Sequence, residues 1–469
     1  AAGRLPRRAA FELLCCLYIQ MNRILYTGSA ISVLVGGRDA KGADVTHELT
    51  YLCLAARLAT RLSYPTVALA WHEGTPAELV DFSVQMLAQG VGDPAFFNDP
   101  LIVRGLREHG VRAEDAYNYM NSTCVEIKVV GRSNMWVTAP YFNLAQGLLD
   151  VMEEVGRGEA PEPQGYPELE ARVRERLGRQ IDEAAARLDQ VWRNRAERGG
   201  FPLASCFILD CLERGLDFDR GGARYNWVEN SFVGLANLAD SLLALRHLVY
   251  ERGELSLAQF YEIVSRDFEG QEALRQRILH SLPKYGNDRQ EPDALARQWA
   301  EFLIARTEAN QVGPHRYVPG FFCWVMHERL GSLTGATPDG RRAFWPLADG
   351  AGAAQGRETN GPTASVLSTT AWSHQEVLGG LVHNVKLPSA PLQDKAGRQT
   401  LRTLIETYLR RGGFEIQVNV VDQETLLDAQ QHPEAYADLL VRVAGYSDYF
   451  VTLNRKMQDE IIARTEHSV

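Results

Sequence analysis

The chain has 469 residues, 45% of them hydrophobic and 23% charged, ordinary proportions for a soluble globular protein. Its formal net charge of −10 argues against a general affinity for nucleic acid or anionic membrane surfaces. No stretch reaches the roughly 18 uninterrupted apolar residues of a membrane span, and the length calls for one large α/β unit or two to three domains.

In chain order, "RLPRRAAFELLCCLYI" (4–19) has a basic start and an apolar run, but Glu12 interrupts the run and no small-residue cleavage site follows. It therefore reads as the opening of a helix over 9–27 rather than a signal peptide. Cys15 and Cys16 in that run are expected in the core. "SVLVGGRDAKGAD" is a short apolar strand running into a glycine-rich turn, which lacks both GxGxxG spacing and the Lys-Ser/Thr ending of a phosphate loop. Helical periodicity resumes over 44–62, with Thr46 as the expected cap. "TVALAW" (66–71) reads as a buried strand, followed by a helix at about 76–90. A long charged helix over 166–196 suits an outer surface, and helices recur at 234–251, 256–267, 271–281 and 291–307. Late in the chain, 414–421 reads as a strand and "DQETLLDAQ" starts a helix. Strands alternating with long helices indicate an α/β architecture with a parallel barrel or sheet. The Pro/Gly-rich stretch 156–167 is the best linker candidate without marking a domain boundary.

The seven cysteines (15, 16, 53, 124, 206, 211 and 323) are odd in number and have no metal-like pair spacing. They fit neither a disulfide framework nor a zinc site, and a reducing cytoplasm is the expected compartment. His47, His315 and His383 likewise show no metal-ligand spacing.

Two short stretches carry chemistry. In "NSTCVEIKVVGRSN" (121–134), Cys124 and Glu126 are two apart, so an extended loop presents both side chains the same way. A thiol beside a carboxylate offers one redox or nucleophilic atom and one proton acceptor. On spacing alone, a small buried cysteine beside a surface glutamate is the simpler account, and no local motif supplies the His or Asn of a cysteine hydrolase. In "RVAGYSDYF" (442–450), Gly445 stands between a β-branched run and two tyrosines, where a turn is the ordinary reason for a glycine.

Taken together, these stretches resemble the glycyl radical enzymes, the family of pyruvate formate-lyase and its dehydratase and lyase relatives. The resemblance runs through "VGGRDAKGADVTHELTYLCLAA" (35–56), "GDPAFFND" (92–99), "TCVE" (123–126), "GGARYNW" (221–227) and "GLANLADSL" (234–242). It continues through "GATPDGRRAFWPLADG" (335–350), "QGRETNGPTASV" (355–366), "EIQVNVVDQETLLDAQ" (415–430) and "RVAGYSDYFVTLNRKMQDEIIARTEH" (442–467). It implies that Gly445 carries a stable α-carbon radical. A glycine suits that role because the radical carbon is free to flatten and delocalise into its flanking amides. Cys124, 321 residues earlier, would relay a hydrogen atom to it and act on substrate as a thiyl.

The implied fold is an α/β barrel of ten strands in two five-stranded half-sheets surrounded by helices, with the Cys and Gly loops meeting inside, sealed from water and oxygen. Residues 1–330 would be the C-terminal part of the barrel domain with the Cys loop, and 331–469 the glycine radical domain. Complete members carry far more chain ahead of the Cys motif than the 123 residues here, so a fragment with its N-terminal part missing is expected. Thr123 and Val125 flank a lone thiol, unlike the adjacent cysteine pair of pyruvate formate-lyase. Cys15–Cys16 lies too far upstream to be that pair.

The favoured reading is accordingly a dehydratase or other C–O, C–N or C–C lyase acting on a small polar substrate in anaerobic metabolism. Glu126 would take a substrate hydroxyl proton, and a second acid, absent between Glu126 and Asp150, would protonate the leaving group. A formate C-acetyltransferase is one alternative; a non-catalytic radical-bearing fragment completing a partner subunit is another. No bound cofactor or metal is expected. The implied partners are a radical S-adenosylmethionine activating enzyme, a small-molecule substrate and a second copy in a homodimer. Gln417 and Asn419 are candidates to support the Gly loop, though strand packing accounts for them equally. Asp339, Arg341 and Arg342 are expected in a turn with its salt links, residues 360–365 in a turn or cavity wall, and Tyr446 and Tyr449 in packing.

Overall fold

The computed structural model describes residues 5–24, 31–122, 124–135 and 140–467. The chain divides into two compact units: Ala1–Arg132 with Gly380–Val469, and Ser133–Gly379. The strands among the described residues are β1 (Ser32–Gly36), β2 (Thr66–Trp71), β3 (Ala95–Asn98), β4 (Tyr119–Asn121), β5 (Ile127–Val129), β6 (Tyr141–Asn143), β7 (Trp227–Val233), β8 (Gln311–Val312), β9 (His315–Gly320), β10 (His383–Leu387), β11 (Glu415–Val420), β12 (Leu440–Arg442) and β13 (Ser447–Tyr449).

The first unit is built on a five-stranded sheet ordered β1-β2-β3-β11-β10. β1, β2 and β3 run parallel, as do β10 and β11, but β11 meets β3 antiparallel, with Ile416 opposite Phe96. The sheet is thus mixed where a parallel one was expected, because the returning C-terminal pair enters beside β3 from the opposite direction. All six residues of β2 and of β11 are buried, the signature of strands covered on both faces. Two hairpins, β4–β5 and β12–β13, complete this unit.

The helix Glu48–Thr60 is capped by His47 rather than Thr46. His47 Nδ1 accepts from the Leu49 amide at 3.2 Å while Thr50 Oγ1 accepts from the His47 amide at 3.3 Å; the Thr46 hydroxyl is turned to Asp44 at 2.9 Å. The helix Arg7–Ile24 buries Tyr18 but leaves Leu13, Leu17 and Ile19 exposed. Cys15 is half-buried and Cys16 exposed, so neither is the core residue the apolar run suggested. Only one stripe of this helix is packed.

The second unit carries a four-stranded sheet ordered β6-β7-β9-β8, parallel except for the β8–β9 hairpin. The 32-residue helix Tyr166–Glu197 buries Leu169, Val173, Leu177, Ile181 and Ala184. These three- and four-residue spacings define one face, and the other is laced by Glu–Arg pairs four residues apart, such as Glu168–Arg172 at 2.5 Å and Glu170–Arg174 at 2.8 Å. The helix Leu235–Leu245 is buried throughout and widens into a π-turn over Arg246–Glu251. Arg342 pairs with Glu272 at 2.6 Å and buried Arg341 donates to the Trp345 carbonyl, as a turn with salt links requires. Residues 361–365 open a helix, Gly361–Thr369, rather than a plain turn. None of the seven cysteines is in a disulfide, and among the described residues no helix is long and apolar enough to cross a membrane.

Candidate active site

The β4–β5 hairpin holds Cys124 and Glu126 at its tip. Asn121, the last residue of β4, donates from Nδ2 to the Cys124 carbonyl at 2.8 Å. Ser32 at the start of β1 donates to the carbonyls of Asn121 and Ser122 at 2.8 and 2.6 Å, tying the hairpin to the sheet. Cys124 is 3% and Glu126 1% exposed, so the glutamate is not a surface residue. Its carboxylate folds back over its own loop: Oε2 accepts the amide N–H of Cys124 at 3.2 Å and of Val125 at 3.1 Å. Buried carboxylates demand such donors, and here the two donors also fix the loop that presents the thiol. Gly380, with φ +99°, runs its backbone against this loop; a side chain there would lie 2.7 Å from Val125 Cγ2.

Gly445 lies in the turn of the β12–β13 hairpin, closed by a Val443 N–H to Tyr446 carbonyl bond of 2.8 Å. Its φ of +81° falls in the left-handed region where only glycine is unstrained. A Cβ placed on Gly445 would sit 2.5 Å from Cys124 Cβ and 3.4 Å from Cys124 Sγ. The α-hydrogen that occupies that direction therefore points at the cysteine. Any residue but glycine collides with it.

A buried polar chain holds the glycine there. Gly445 N–H donates to Gln417 Oε1 at 3.2 Å, and the same oxygen accepts from Arg442 Nε at 2.6 Å. Arg442 Nη1 reaches Asp93 Oδ1 at 3.0 Å, while Arg57 Nε takes Asp93 Oδ2 at 2.5 Å. All five residues are buried, so two guanidiniums share one carboxylate without solvent. Asn419 flanks the chain, exchanging bonds of 3.4 and 3.5 Å with the Arg442 backbone, and Gln417 Nε2 is oriented by Asn384.

The sequence profile described as Pyruvate formate lyase-like matches residues 1–326, and that described as Glycine radical matches 347–451. The chain is a member of the glycyl radical enzyme family.

Among its relatives is a probable dehydratase of Escherichia coli, 34% identical over 99% of this chain and 62% of that protein. Trans-4-hydroxy-L-proline dehydratase of Clostridioides difficile is 31% identical over 99% of this chain and 62% of its own. The fold superposes on the glycerol-bound B12-independent glycerol dehydratase of Clostridium butyricum with a TM-score of 0.94 at 30% identity, covering 100% of this chain and 62% of that one. The chain spans about three-fifths of the length of these relatives. Isethionate sulfite-lyases, 29–30% identical, add lyases to the dehydratases in this set.

Within this glycyl radical fold, Tyr446 is buried and its phenol is pushed well above its usual range, first by burial, then by the Asp448 and Cys124 neighbours. Tyr449 is half-buried, and its phenol is also raised, chiefly by burial. Asp93, Arg57 and Arg442 escape a reading of the sequence by spacing, although Asp93 and Arg442 lie inside two of the family-like motifs. Of the histidines considered for metal binding, His47 is a helix cap, His315 stacks on Trp192 at 4.7 Å and His383 on Tyr408 at 5.0 Å. One group among the described residues has metal-ligand chemistry: the buried trio Cys323, His327 and Asp349, whose ligand atoms lie within 4.8 Å of one another. Its thiol is hydrogen-bonded to the Asp349 carboxylate, so two of the three ligand atoms already satisfy each other.

Proposed function

We propose that this chain belongs to a glycyl radical lyase of the dehydratase type, with Gly445 as the radical site, Cys124 as the hydrogen-atom relay and Glu126 as the base. The observation carrying this reading is the approach of Cys124 to the α-carbon of Gly445, so close that a Cβ placed on the glycine would lie 3.4 Å from the thiol sulfur. In the activated pair, the Gly445 radical takes the hydrogen atom of Cys124: the S–H bond breaks, the Gly445 C–H bond forms and the unpaired electron passes to sulfur. The sulfur-centred radical then takes a hydrogen atom from a substrate carbon bearing a hydroxyl. Glu126 accepts the hydroxyl proton, and the leaving group on the adjacent carbon departs with its bonding pair. The product radical recovers hydrogen from Cys124 S–H, regenerating the thiyl. Burial of Cys124, Glu126 and Tyr446 keeps water from quenching these species.

Residues 331–469 act as the glycine radical domain and 1–330 carry the Cys loop. The radical is installed by a radical S-adenosylmethionine activating enzyme, in a reducing cytoplasm. The lone thiol and the dehydratase and lyase names of the relatives favour this reading over acyl transfer.

The test is anaerobic activation followed by electron paramagnetic resonance and exposure to air. A carbon-centred doublet should appear, and oxygen should cut the chain at Gly445, releasing a peptide of the 25 residues from 445 to 469. Gly445→Ala should show neither. A spin-positive sample whose mass stays intact in air would overturn the assignment of the radical to Gly445.

A further inference from the structure

Within the unit Ser133–Gly379 lies a cleft of about 420 Å³, lined in part by Asn360 and by Gly356, Arg357 and Thr359 of the motif 355–366, and by none of the residues assigned to the radical site. Its wall contains Lys284, Arg289, Arg357 and His280 together with Asn287 and Asn360, and no aspartate or glutamate. In a chain of net charge −10, that is a marked local reversal of sign. Lys284 forms the floor: it is 6% exposed, and its Nζ has no hydrogen-bond partner and no ion pair. Arg357 is half-buried and its Nε is also without an acceptor, while Arg289 and His280 stand exposed at the rim. Asp240 and Asp339 face Lys284 from the protein side, but neither comes within ion-pair distance. Buried donors left unmatched in this way are costly unless something outside the chain completes them.

The cleft is also rigidly built. Asn287 Oδ1 accepts the amides of Thr359 and Asn360 at 2.7 and 3.0 Å, and its Nδ2 donates to the Arg357 carbonyl at 2.8 Å. Asn360 Nδ2 returns a bond of 2.9 Å to the Asn287 carbonyl. Two loops, 284–289 and 356–360, are thereby locked edge to edge with their cations turned to one space.

We propose that this cleft binds the phosphate group of a small organic phosphate monoester. Three cations match the dianion and its terminal oxygens, and arginine forks suit phosphate geometry. The volume falls within the range of ligand pockets and exceeds the need of a bare ion, leaving room for an organic moiety against Leu279, Leu282 and Pro283. Because the site rests on neither Cys124 nor Gly445, it is tested without activation.

The experiment is titration calorimetry of the full chain in chloride buffer at constant ionic strength, with inorganic phosphate, ribose 5-phosphate and ribose as probes. Both phosphates should bind saturably, the ester more tightly, and ribose should not bind. Arg357→Gln and Lys284→Gln should each weaken binding by about tenfold or more, the loss of one charged hydrogen bond. Arg289→Gln, at an exposed rim position where folding is not at stake, should weaken it several-fold. Absence of saturable phosphate binding to the wild type, or equal binding by the Arg289→Gln and Arg357→Gln proteins, would overturn the proposal.

Discussion

Gln417 and Gly445 are joined by a bond from the glycine amide to the Gln417 side-chain oxygen at 3.2 Å, and that oxygen also receives the Arg442 guanidinium at 2.6 Å. One acceptor thus fixes the glycine backbone to a buried ion network. Gln417→Leu would strand both donors, at a cost of about 1–3 kcal/mol for each buried unsatisfied group. The expected outcome is a lowered melting temperature and faster hydrogen exchange at the Gly445 amide. Gln417→Glu, which keeps an acceptor in place, should retain the exchange protection.

Asp93 is the hinge of the same network, balancing Arg57 and Arg442 with both oxygens. Asp93→Ala would leave two cations buried and unpaired. Breaking a buried pair in this way costs about 3–5 kcal/mol, which chemical denaturation should register as a lower midpoint.

Cys124 and Glu126 separate by their roles. In Glu126→Gln the amide oxygen still accepts the two loop amides, so the loop and the radical yield should persist. Turnover, followed by product formation beside spin quantitation, should drop by about 10²–10⁴-fold, as for the loss of a positioned base. Cys124→Ser should abolish turnover, since a serine O–H bond is too strong to serve the relay.

Burial raises the Asp240 carboxyl from the ordinary 3.8 to about 7. Between those values the native state holds a proton that the unfolded chain has released, so stability falls as pH rises from about 4 to 7. Asp240→Asn keeps an acceptor for the Tyr285 amide, bonded at 2.9 Å, and should flatten that part of the melting-temperature profile relative to wild type.

The elements were largely legible because their signals are local. The strand "TVALAW", the strand at 415–420 and the 32-residue helix all emerge from apolar patterning. Errors arose where a neighbour decided the outcome. Thr46 lost the cap to His47 because Asp44 claimed its hydroxyl, and Cys16 stayed in solvent because its helix packs on one stripe. The position of Gly445 against Cys124 has no signature in periodicity; in the sequence it rests on motif resemblance alone. The Arg57–Asp93–Arg442 chain was invisible because it joins residues as many as 349 apart, and no spacing rule reaches that far.

The pairing of β3 with β11 also sets a schedule for synthesis. Asn98 donates from Nδ2 to the carbonyls of Leu409 and Gly413, each at 2.7 Å, more than 300 residues downstream. The 247 residues of Ser133–Gly379 leave the ribosome between the two halves of this unit. At 5–20 residues per second that interval lasts roughly 10–50 s. Throughout it, the edge carrying Phe96 and Phe97, fully buried in the finished fold, lacks its neighbour. An unpaired apolar edge of that kind invites association with other chains, so the nascent protein carries an aggregation-prone edge while its second unit is being made, and the cysteine loop is complete well before the glycine that will face it exists.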